Sequence, residues 1–183
     1  MDGRTEIPRQ VEWLFFDGGR TLNYPVTGEW FIPPSFLTIV GIEQWRKPSR
    51  RRRRNGLDSV RAAAPVDAHI ETVSEEYALY VEAYAQLSAT LPELRLSAGQ
   101  IDALAHDLAD NHEKYAFYPD VIETVPILSR HYRLGVISDA WPSLEGVFDA
   151  AGLRKHFEVF VLSSRAGEPA VRQNKHVSVM LLA

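Results

Sequence analysis

The run Val11-Glu12-Trp13-Leu14-Phe15-Phe16 is almost wholly apolar, does not alternate, and stops at Asp17-Gly18-Gly19. Strands buried on both faces of a parallel sheet read this way, and Asp-Gly-Gly is a turn signal. The pattern returns twice. Arg133-Leu134-Gly135-Val136-Ile137 ends at Ser138-Asp139, and residues 157–162 end at Ser163-Ser164. After Pro119-Asp120 a helix carries Val121, Val125 and Leu128. Ser143 is placed to cap another, with Leu144, Val147, Phe148 and Ala151 inward and Gly152 at its end. Strands alternating with helices imply an α/β fold, a Rossmann-like doubly wound parallel sheet with right-handed crossovers. Ligands of such sheets bind at the carboxyl ends of the strands, where Asp17, Ser138 and Ser163 fall.

The middle of the chain has a different period. Ile70, Val73, Tyr77, Val81, Tyr84 and Leu87 recur every three or four residues, which predicts a helix with those residues on one face. Pro92 interrupts it, and the Ser97/Gln100 capping-box pair starts a second helix with Ile101, Leu104 and Leu108. Residues 21–36, rich in aromatics, proline and glycine, suit a hairpin or structured loop. A formal charge of -4 argues against a chain that coats nucleic acid, and the absence of cysteine excludes disulfides and thiolate chemistry. Residues 1–10 lack the apolar stretch of a signal peptide, and no segment approaches the roughly 20 apolar residues of a membrane span. The expectation is a soluble, cytoplasmic protein with no membrane partner.

Taken alone, Asp17 reads as a turn residue or helix cap. Its surroundings change that. Phe15-Phe16-Asp17-Gly18-Gly19-Arg20-Thr21-Leu22 resembles the first motif of the haloacid-dehalogenase-like hydrolases, an apolar strand followed by Asp-x-Asp-Gly-Thr-Leu. Leu134-Gly135-Val136-Ile137-Ser138-Asp139 resembles the second, and residues 152–164 resemble the approach to the third. The resemblance covers residues 11–167 and implies a core of residues 1–36 and 115–183, incomplete at its carboxyl end, with an inserted helical cap at 37–114.

The resemblance also implies a chemistry. Asp17 would attack phosphorus and form an aspartyl-phosphate, splitting one displacement into two. Mg2+ held by Asp17 and the backbone carbonyl of Gly19 would neutralise charge on a small phosphorylated substrate. Ser138 would donate to a phosphoryl oxygen, and amides around Gly18, Gly19 and Arg20 would hold the anion. Asp139 is a candidate helper beside the substrate and the metal, or a cap of the following turn.

Three departures point to weak or lost activity. Gly19 stands where the family's phosphatases keep the aspartate that protonates the leaving group, a loss on the order of 10²–10⁴-fold. Ala170 stands near the expected third-motif lysine, and the register of Lys175 is wrong for it. No acidic residue follows Glu168 to complete the magnesium site, so the tail reads as a truncated or frame-disrupted reading frame. A sheet short of a strand exposes an edge that favours association. The alternative readings are a non-catalytic remnant, and an interaction or nucleic-acid-binding protein using Arg50, Arg51, Arg52, Arg53 and Arg54. No aromatics interleave that run, so a solvated segment is its plainer meaning. His106 and Asp110 read as a surface pair, and Tyr77, Tyr80 and Tyr84 as cap packing. Arg20 either binds an anion or faces solvent, and Trp30 and Phe31 either line a substrate pocket or pack the hairpin.

Overall fold

The structure, a computed structural model, describes residues 11–65, 68–166 and 179–182. Residues 1–10 and 167–178, with Glu168, Ala170 and Lys175, lie outside the described residues. Three parallel strands, β1 (Trp13–Phe16), β4 (Arg133–Ser138) and β5 (Val159–Leu162), form the sheet. A fourth strand, β6 (Val179–Leu182), lies antiparallel along β1, giving the order β5-β4-β1-β6. The expected sheet was parallel throughout; an antiparallel edge strand on an otherwise parallel sheet is a common departure. The pairs Phe16↔Val136 and Ser138↔Leu162 fix the register, so Asp17 and Ser138 emerge at the same end.

Helices α6 (Pro119–Leu128) and α7 (Ser143–Ala150) cover one face of the sheet. There Leu14, Leu134, Val136 and Leu162 pack against Val121, Val125, Leu144 and Phe148. On the opposite face Trp13, Phe15, Ile137 and Val161 are half-buried, where the unbroken apolar runs predicted full burial. The aromatics shield one another instead. Trp13 stacks on Phe15 at 5.4 Å, and the Arg133 guanidinium lies 4.0 Å over Trp13. The Phe15 ring lies across Gly135, its register partner, so that a Cβ there would come within 2.4 Å of the ring. Gly135→Ala is expected to cost about 1–3 kcal/mol by forcing the ring off the strand. A urea midpoint that falls at unchanged slope is the expected reading, and an unmoved midpoint would mean the ring swings away freely.

Two details of α7 differ from expectation. Pro142, not Ser143, occupies its N-cap, and Ala151 is exposed rather than inward. Gly152 does end the helix, at φ 70°.

Between β1 and α6 the chain builds a helical block from α1 (Phe36–Val40), α2 (Ile42–Arg46), α3 (Arg50–Ala63), α4 (Val73–Thr90) and α5 (Ala98–Ala109). Both α4 and α5 open with a complete capping box, Thr72/Glu75 and the expected Ser97/Gln100. The buried residues of α4 are Glu76, Tyr80, Ala83, Tyr84 and Leu87; Tyr77 and Val81 are only half-buried, and Ile70 precedes the helix. The expected face was incomplete: Tyr84 and Leu87 are buried and Val73, Tyr77 and Val81 pack on the same core, but α4 lies between α3 and α5 and buries apolar residues on several sides. Residues 21–36 are not a hairpin of their own. β2 (Asn23–Pro25) pairs antiparallel with β3 (Tyr115–Phe117), tying together the two segments that lead into and out of the block. The short α8 (Ser163–Ala166) follows β5, with Ser163 and Ser164 buried.

The arginine run forms the first turns of α3. Arg53 bonds the carbonyls of Trp45 and Pro48, and Arg52 pairs with Glu93, while Arg50, Arg51 and Arg54 are exposed. His106 and Asp110 form the expected exposed pair at 2.7 Å, which pulls the imidazole pKa upward.

Candidate active site

A cavity of about 470 Å³ opens where β1 and β4 end, between the sheet and the helical block. Asp17 and Ser138 lie on its wall. The Ser138 hydroxyl donates to Asp17 Oδ1 at 2.9 Å and accepts from the Gly18 amide at 3.3 Å. The fit at Gly18 is close, since a Cβ would stand 2.9 Å from Ser138 Oγ. The carbonyl of Gly18 accepts from the amides of Leu22 and Asn23, which closes the loop after β1 and turns the Gly19 amide back toward Asp17. Arg20 holds the loop at φ 64°, a left-handed conformation that glycine adopts without strain. Its side chain is exposed at the cavity rim.

The Asp17 carboxyl is half-buried, and its pKa lies above the ordinary carboxylate value. Burial is the main cause and the nearby Asp139 charge adds to it, while Ser138 and the amides of Gly18 and Gly19 pull the other way. A raised pKa means that the folded chain holds this proton more tightly than the unfolded chain. Ionised Asp17 therefore subtracts stability above its folded pKa, and the penalty fades as pH falls toward the unfolded value. Asp17→Asn is accordingly expected to melt higher than wild type at neutral pH, with the gap closing on acidification. A variant that melts lower at neutral pH would contradict this.

Trp30 and Phe31, read as lining a substrate pocket or packing a hairpin, stand on the cavity wall and pack outside their own segment, edge-on against Tyr115 and Trp141 respectively. Trp30 also closes over Gly19, where a Cβ would meet the indole at 3.1 Å. The residue that lacks a carboxylate is thus one at which any side chain requires the Trp30 indole to shift by a few tenths of an ångström. Gly19→Asp alone is expected to destabilise the protein by about 1–3 kcal/mol and to add no acid catalysis. Gly19→Asp with Trp30→Ala opens the space, and a rise in turnover from the single variant would contradict the packing argument.

Sequence reasoning missed the polar group at the junction of the two halves. Glu76 and Lys114 are buried, with Nζ and Oε1 3.8 Å apart. Glu76 accepts from the Ser143 amide at 2.8 Å, the Ser143 hydroxyl at 2.5 Å and Tyr80 OH at 3.1 Å. A carboxylate from α4 therefore sits at the N-terminus of α7, where Ser143 was expected to cap itself. Lys114 donates to Ser143 Oγ at 2.6 Å and to the Leu108 carbonyl. Burial pulls the Lys114 pKa down to about 8. The available signal was Glu76 itself, a charge four residues before Tyr80 on an inward face; Lys114 looks like any surface lysine. Asn23, Tyr115 and Trp141, also on the cavity wall, carried no chemical signal in the sequence.

Among the described residues no three His, Asp or Glu side chains gather as a metal cluster. Among the oxygen donors on the cavity wall, Asp17, the exposed Asp139 and the Gly19 backbone stand where β1 and β4 end. One or two carboxylates completed by water and phosphate oxygens are what Mg2+ takes, and a divalent ion relieves the mutual repulsion of Asp17 and Asp139. The set fits that ion. A larger depression of about 860 Å³, bordered by Ile42, Arg46 and Arg95, is wide open and lies wholly on the helical block, away from Asp17.

No family model and no curated protein matches the chain by sequence. Solved structures do match. YfnB of Bacillus subtilis, assigned to the HAD-hydrolases and solved bound to magnesium, superposes with a TM-score of 0.55 at 12% identity, over 86% of this chain and 67% of that one. A 2-haloacid dehalogenase of Pseudomonas syringae gives 0.48 at 15% identity, over 86% of this chain and 66% of that one. The L-2-haloacid dehalogenase of Xanthobacter autotrophicus gives 0.46 at 16% identity, over 83% of this chain and 56% of its own. The chain thus spans about two thirds or less of each of these proteins. With three parallel strands in register, an inserted helical block and the likeness to YfnB, the chain has the haloacid-dehalogenase-like fold.

Proposed function

We propose that the protein is a slow hydrolase of small phosphate esters that works through Asp17, with the helical block as its cap. The observation that carries this is the Asp17 carboxylate itself. It sits at the end of a parallel strand, fixed by Ser138 at 2.9 Å and open to a cavity walled by both halves of the chain. Asp17 would attack phosphorus as the ester P–O bond breaks, and the leaving oxygen departs with the bonding electrons. Water then attacks the aspartyl-phosphate at phosphorus, releasing phosphate and restoring the carboxylate. Ser138 orients the carboxylate, and the backbone amides of the loop after β1 would help hold the anion. Mg2+, held by Asp17, Asp139 and the Gly19 carbonyl, would neutralise phosphoryl charge.

Slow turnover follows from Gly19. With no acid at that position, the leaving oxygen takes its proton from water, at a cost on the order of 10²–10⁴-fold. A second reading, anion binding without turnover, rests on the same observation. Release of phenolate from para-nitrophenyl phosphate with magnesium present separates the two. The proposal requires release by wild type and covalent phosphate on Asp17 after acid quenching. Release that persists in Asp17→Asn would sink it.

A further inference from the structure

Asn23 is fully buried on the cavity wall, yet neither its side-chain nitrogen nor its side-chain oxygen has a hydrogen-bond partner. Its backbone, by contrast, is fully used. The amide donates to Gly18, the carbonyl accepts from Arg20, and the residue pairs with Phe117 across the β2–β3 ladder. The side-chain amide therefore adds no hydrogen bond to the loop and carries a desolvation penalty. An unsatisfied buried amide is costly, and such groups in a cavity wall generally meet a ligand or an ordered water. Trp141 repeats the pattern, since its indole ring lines the same cavity while Nε1 has no acceptor. That ring packs edge-on against both Phe31 and Tyr80, at 5.8 and 5.6 Å.

We infer that Asn23 and Trp141 form the recognition site for the leaving group of the substrate, and that this group is a planar, phenol-like ring bearing a carboxamide-type edge. The inference rests on the reading of Asp17 as the nucleophile. A free Asn amide offers one donor and one acceptor side by side, and its complement is an edge presenting an acceptor beside a donor. A carboxamide or a lactam has that edge; a carboxylate or an alkyl chain does not. The indole N–H adds a second donor for a ligand oxygen. Trp30, Phe31, Tyr115 and Trp141 supply flat aromatic faces, which accept a ring by offset or edge-on stacking. The chemistry at Gly19 points the same way. A site without a general acid turns over only esters whose oxygen leaves unprotonated, and phenolates do so far more readily than alkoxides.

The test is binding of the alcohol product, which involves no phosphoryl transfer. Quenching of tryptophan fluorescence is titrated with para-hydroxybenzamide and with para-cresol, the same ring without the amide. Wild type is expected to bind the amide at least about tenfold more tightly. Asn23→Leu is expected to lose that preference while keeping or raising its melting temperature, since an unsatisfied group is removed. Asp17→Asn is expected to retain the preference. If Asn23→Leu does not fold, Asn23→Asp, which keeps the shape but loses the donor, must weaken the amide alone. Equal binding of the two probes by wild type, no binding of either, or a preference that survives at Asn23→Leu and Asn23→Asp overturns the inference. A site without turnover that still shows the preference refutes the hydrolase and leaves the recognition site standing; turnover without the preference does the reverse.

Discussion

Lys114→Met is expected to destabilise the protein by about 3–5 kcal/mol, because it leaves Glu76 buried without its cation. The loss is local and severe. Ser143 Oγ and the Leu108 carbonyl lose their donor, and the carboxylate that joins α4 to the start of α7 keeps only hydrogen bonds to offset its charge. Glu76→Leu with Lys114→Met is expected to recover much of the loss, since an apolar pair of similar volume is often neutral against a buried ion pair. Additive losses in the double variant would show that the two side chains do not act as a pair. The same lysine gives a pH signature. Its folded pKa, about 8, lies below the 10.5 of an ordinary lysine. The unfolded chain therefore holds the extra proton between those values, and stability rises with pH across that window. Expressed as the difference between wild type and Lys114→Met in denaturant midpoint, the slope should be positive from pH 8 to 10.5. A flat or falling difference would contradict it.

Asp17→Asn is expected to reduce turnover of an aryl phosphate on the order of 10⁴-fold or more, the scale on which removing a nucleophile acts. Asparagine keeps the shape and can still accept from Ser138, so the fold survives while the attacking carboxylate is gone. Ser138→Ala is expected to cost less, on the order of 10²–10³-fold, as for a single positioned hydrogen-bond donor. The order of the two effects is the informative part. Equal losses with a parallel fall in melting temperature would mean that both variants act by unfolding the loop. A kcat loss without a fall in melting temperature places both residues at the reacting atoms.

The fold was legible where local pattern and tertiary context agree. The apolar runs ending at Asp17, Ser138 and Ser163 marked the ends of β1, β4 and β5, and Pro119, Ser97 and Gly152 marked helix boundaries. It was illegible where packing chose among equivalent local patterns. Tyr77 and Tyr80 are chemically alike, and only contact with α3, α5 and Trp141 decides that Tyr80 goes inward. Likewise, no local signal shows that Asn23 pairs with Phe117 rather than with a neighbour in its own loop. The site divides in the same way. Asp17, Gly18 and Ser138 come from motifs at strand ends, but Glu76, Lys114, Asn23 and Trp141 acquire chemistry only when the helical block closes over the sheet.

The central claim, that Asp17 faces an assembled phosphoryl site, is tested most directly by melting the purified protein with and without magnesium and beryllium fluoride, which mimics aspartyl-phosphate. A ligand at about a hundred times its dissociation constant adds roughly 2.7 kcal/mol. A clear upward shift in wild type and none in Asp17→Asn is the expected result. An equal shift in both proteins, or a cooperative melt that does not move in either, would contradict it.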